Sequence, residues 1–101
     1  MRAMKLVNPA TEEAFRTLEM TSEVELSAIL ERMRTAQKKW REVPVNERVE
    51  ICRGFVDAFR SMREKVALDI TRQMGKPLVQ AQREVDTMLN RADTILRLAP
   101  S

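Results

Sequence analysis

Two hydrophobic rhythms divide this chain. Up to residue 20 the apolar positions are nearly alternate, and from residue 22 they recur at three- and four-residue steps. The first rhythm belongs to extended chain and the second to amphipathic helix. Met4 to Val7 reads as a short extended segment. Asn8-Pro9 then initiates a turn, because Pro9 biases Asn8 away from helix. Ala14 to Met20 comes close to strand alternation, with Phe15, Leu18 and Met20 apolar and Ala14, Arg16 and Thr17 mixed. A β-hairpin or a pair of extended segments is predicted over 4–20.

Ser22 starts the first helix. Ser22-Glu23-Val24-Glu25 is a capping box, in which the serine oxygen accepts from the amide three residues on and Glu25 reaches back. Leu26, Ile29, Leu30, Met33, Ala36 and Trp40 share one face, and Pro44 ends the region. A second helix is predicted from Val45 or Asn46 to Ser61. Its apolar residues, from Val49 and Ile51 through Cys52, Phe55, Val56, Ala58 and Phe59 to Met62, fill half the wheel. That arc is wide for a surface helix and predicts two packing neighbours. A third helix spans Arg63 to Met74, with Val66, Ala67, Ile70 and Met74 on one face. Gly75 is placed as its left-handed cap, and Pro77 stops any continuation. The last helix runs from Leu78 to Leu98 with a stripe built on Ala81, Val85, Leu89, Ala92, Ile95 and Leu96. The expected fold is mainly α, an N-terminal hairpin or extended segment followed by about four amphipathic helices over 22–99. The seven methionines fall mostly at core-facing positions, so core filling is expected of them.

With 101 residues the chain is one small domain at most. No apolar run reaches the length of a membrane span, and the N-terminus has no secretory h-region or cleavage site. A single cysteine, Cys52, excludes an internal disulfide and suits a reducing compartment, so a cytoplasmic location is expected. There is no histidine and no tyrosine. Histidine-based acid–base catalysis, Ser-His-Asp and Cys-His pairs and imidazole ligation are therefore excluded. With one cysteine, a zinc site would need carboxylates almost throughout. Gly54 and Gly75 are the only glycines, too few and too far apart for a phosphate-cradling loop.

Charge is unevenly placed. Residues 1–31 hold three basic and six acidic side chains, and residues 32–101 hold fifteen basic and nine acidic. Arg32, Arg34, Lys38, Lys39 and Arg41 form the densest basic stretch. Clustered cations can bind nucleic acid, but a solvated helix face is the favoured reading, since aromatics are too few for base stacking.

Each residue with chemical potential has a plainer role. Cys52 lies mid-helix on the apolar face, where a buried inert thiol is expected, although Arg48 is one turn away. Arg48 itself falls inside the apolar arc, and pairing with a carboxylate or helix-end carbonyls is preferred over an anion or substrate contact. Nothing places Glu84 or Asp86 at catalytic separation from another carboxylate. Lys76 sits in Gly-Lys-Pro, which lacks the upstream glycine and the hydroxyl of a phosphate loop. No catalytic, cofactor-binding or metal-binding residue is assigned, and the residues by themselves name no reaction.

The order of motifs does point to a family. Asn8-Pro9-Ala10-Thr11 opens, Trp40 closes the first helix, and Pro44, Glu47 and Arg48 head the second. Met74-Gly75-Lys76-Pro77-Leu78 follows, then Ala81 and Glu84-Val85. From residue 7 to 99 this resembles the N-terminal part of the NAD(P)-dependent aldehyde dehydrogenase superfamily, most closely its succinate-semialdehyde branch. The resemblance implies that residues 1–101 are the N-terminal portion of a coenzyme-binding domain within an α/β fold. It implies aldehyde oxidation in which a cysteine thiolate attacks the carbonyl, hydride passes to nicotinamide, and glutamate-activated water hydrolyses the thioester. The nucleophile, the general base, the oxyanion-hole asparagine and the nucleotide-site glycines all lie downstream of the matched part, so no role carries over and Cys52 matches no catalytic position. One departure is in the first turn, where many relatives have glycine and this chain has Glu12-Glu13.

The leading reading is therefore a scaffold segment, inactive alone. NAD or NADP is implied only for the complete enzyme. The implied partners are the remainder of the chain, another subunit or a homo-oligomer, with no membrane. The alternative is a free-standing helical interaction module that associates through the arc containing Ile51, Phe55 and Phe59. A basic nucleic-acid-binding domain is the third reading.

Overall fold

The computed structural model describes residues 2–101. Among them are two strands, β1 (Ala3–Val7) and β2 (Ala14–Glu19), and four helices, α1 (Glu23–Trp40), α2 (Val45–Ser61), α3 (Arg63–Met74) and α4 (Leu78–Leu98). The hairpin and the helix boundaries agree with the hydrophobic pattern, and the fold is mainly α.

β1 and β2 pair antiparallel, with Met4 opposite Leu18 and Leu6 opposite Arg16, and a bulge falls between Leu6 and Val7. The connecting turn is tied by its own polar groups. The Ala10 amide donates to Asn8 Oδ1 at 2.9 Å. The Glu12 amide donates to the Asn8 carbonyl at 2.7 Å, and the Asn8 amide donates to the Glu13 carbonyl at 2.9 Å. Closing this turn puts Glu12 at φ 61°, in the left-handed region. That backbone suits glycine and costs an L residue about 1–2 kcal/mol. The glutamates therefore leave the turn tight at the expense of strain at Glu12.

Helix ends follow local chemistry. Ser22 Oγ accepts from the Glu25 amide at 3.2 Å, and Glu25 Oε2 accepts from the Ser22 amide at 2.9 Å. These hydrogen bonds hold the Glu25 carboxyl below its usual pKa. Gly75 caps α3 at φ 74°. Pro44 and Pro77 precede α2 and α4 with extended backbone, in keeping with their missing amide hydrogens.

The core is small and lies where α2, α3 and α4 meet. Val49 and Val56 of α2, Ala67 of α3, and Ala81, Val85, Leu89 and Leu96 of α4 are buried. Ala67 and Ala81 are fully enclosed, which lets α3 and α4 approach closely. α2 packs on both α3 and α4, the two neighbours expected from its wide arc. Even so, Ile51 and Phe55 remain exposed at 58% and 63%.

Helix α1 departs from expectation. It packs against no other element and contains no buried residue. Its apolar face, with Leu26, Leu30 and Met33, is open. The methionine expectation also fails, since Met4, Met20, Met33, Met62 and Met74 are exposed. The reason is shared: three packed helices supply only one interior, and side chains turned away from it have nothing to fill. The molecule is accordingly flat, 48 × 39 × 17 Å, with a radius of gyration of 17.7 Å. A compact chain of this length has about 13 Å.

Candidate functional site

Apart from Cys52, the residues singled out for their chemistry are held in structural pairs. Arg48 Nε donates to the Val43 carbonyl at 3.0 Å, tying the start of α2 to the turn after α1. This is the carbonyl pairing favoured from the sequence. Cys52 is a free, half-buried thiol packed against the core.

The carboxylates are engaged by cations across the α3–α4 seam. Arg63 Nε and Nη2 donate to Asp86 Oδ1 and Oδ2 at 2.6 and 2.9 Å, a bidentate fork. Arg63 also contacts Glu64, and Gln82 Nε2 donates to Glu64 Oε2 at 2.9 Å. The Arg63 fork holds the Asp86 carboxyl below its usual pKa. Hydrogen bonds from Gln82 and then Arg63 lower Glu64 likewise. Arg60 Nη2 donates to Asp93 Oδ2 at 2.9 Å, binding α2 to α4. Lys76 pairs with Glu84, fastening the α3–α4 connection to the first turns of α4. This network escaped the sequence reading, because its partners lie 8 to 33 residues apart.

Among the described residues no three metal-ligating side chains gather in one place. An open cleft of about 550 Å³ lies at the C-terminal end of α1 between Met33, Ala36, Gln37, Lys39, Trp40 and Val43. Its single cation has no acid–base partner in the lining, so it offers an apolar shelf and no reaction. The basic stretch of α1 is exposed, and Arg34 lies 3.9 Å from Glu31. Among the described residues no helix is long and apolar enough to cross a membrane.

A dinucleotide site does not fit these residues. It requires glycines in a strand-to-helix turn whose amides face a pyrophosphate. Gly54 stands inside α2, and Gly75 closes α3 against Pro9.

A profile of the aldehyde dehydrogenase family matches residues 1–101. The chain belongs to the aldehyde dehydrogenase family. Its similarity to individual relatives agrees. It is 33% identical over 95 residues to a succinate semialdehyde dehydrogenase [NAD(P)+] of Escherichia coli (strain K12), covering 94% of this chain and 21% of that protein. It is 34% identical over 84 residues to a succinate-semialdehyde dehydrogenase [NADP(+)] of Deinococcus radiodurans, covering 83% and 18%. It is 32% identical over 73 residues to an N-succinylglutamate 5-semialdehyde dehydrogenase of Novosphingobium aromaticivorans, covering 72% and 16%. The chain thus spans about a fifth of the length of the curated relatives it matches. Its helices and hairpin are the aldehyde dehydrogenase family's N-terminal segment.

Proposed function

We propose that these residues are the N-terminal scaffold of an NAD(P)-dependent aldehyde dehydrogenase that oxidises a semialdehyde to its acid. They form part of its coenzyme-binding domain and bind no coenzyme by themselves. The observation that carries this reading is the family match over the whole chain, joined to a fold whose ionisable groups are spent on holding helices together. The exposed apolar side chains of α2 and α4, Ile51, Phe55 and Ile95 among them, support it. Such surface marks a face made to be covered, and the remainder of the family fold is its natural cover. The names of the relatives favour a dicarboxylic semialdehyde as substrate.

The test is to isolate the native polypeptide that carries residues 1–101, measure its intact mass, and assay aldehyde-dependent reduction of NAD+ and NADP+. The expected result is a product several times longer than 101 residues that oxidises succinate semialdehyde, while the 101-residue chain alone does not. A native product of only 101 residues would overturn the scaffold reading, and aldehyde oxidation by it would place chemistry in this segment.

A further inference from the structure

We draw no further inference here: the strongest candidate, the open apolar face of α1 with the cleft beside Trp40 at its C-terminal end, belongs to a surface that a chain spanning about a fifth of its relatives leaves uncovered, and nothing in the structure shows what covers it.

Discussion

Gly75 and Pro9 meet where the hairpin turn reaches the end of α3: a Cβ built on Gly75 would lie 2.8 Å from Pro9 Cγ. Sixty-six residues separate them in the chain. Gly75 is thus required twice, once for its φ of 74° and once for the space it leaves to the proline ring. Gly75→Ala should therefore cost about 1–3 kcal/mol. Urea denaturation checks this, and a loss below about 0.5 kcal/mol would show that the turn moves aside freely.

Glu12 offers the opposite experiment. It holds φ 61°, and among the described residues its side chain makes no hydrogen bond or ion pair. Glu12→Gly should relieve that strain, less the chain entropy that glycine adds, for a net gain of up to about 1 kcal/mol. A rise in melting temperature is the expected readout, and a fall would mean that Glu12 supports the turn in another way.

Asp86 and Glu64 make the α3–α4 seam sensitive to acid. Both carboxyls are lowered in the folded chain, mainly by Arg63 for Asp86 and by Gln82 for Glu64. Their unfolded values lie near 3.9 and 4.3. A lowered folded pKa stabilises above the unfolded value, and the contribution is lost as pH falls through the folded one. Denaturation midpoints should therefore be flat from pH 7 to about 5 and decline below about pH 4. Arg63→Met should reduce that decline, and an unchanged pH profile would remove Arg63 as its cause.

Leu89 and Trp40 separate core from rim. Leu89 is 2% exposed at the centre of α4, whereas Trp40 is half-buried at the end of the unpacked α1. Leu89→Ala should cost about 2–5 kcal/mol. Trp40→Ala should cost about 1–2 kcal/mol, in keeping with partial burial. Equal losses would place α1 inside the cooperative core.

Cys52 should be chemically silent. Cys52→Ser is expected to cost about 1 kcal/mol in stability and to leave aldehyde oxidation by the complete enzyme intact. Loss of oxidation with the fold preserved would give this thiol a role in the reaction.

The sequence by itself determined the elements. Ser22 with Glu25, Gly75 before Pro77, and the three- and four-residue apolar steps each act within a turn of chain, so their effects are legible without any partner. It also carried the family, through Met74-Gly75-Lys76-Pro77 in register with Trp40 and Arg48. The same apolar rhythm could not say which stripes are buried. Val49 and Val56 are covered while Ile51 and Phe55 on the same arc are not, and α1, with an equally regular stripe, packs on nothing. Nor could it find Arg63 on Asp86 or Arg60 on Asp93, or say which of the two glutamates in the first turn takes the left-handed backbone. The ion pairs depend on which helices are brought together, and the Glu12 backbone on how the hairpin closes, so the tertiary structure alone decided them.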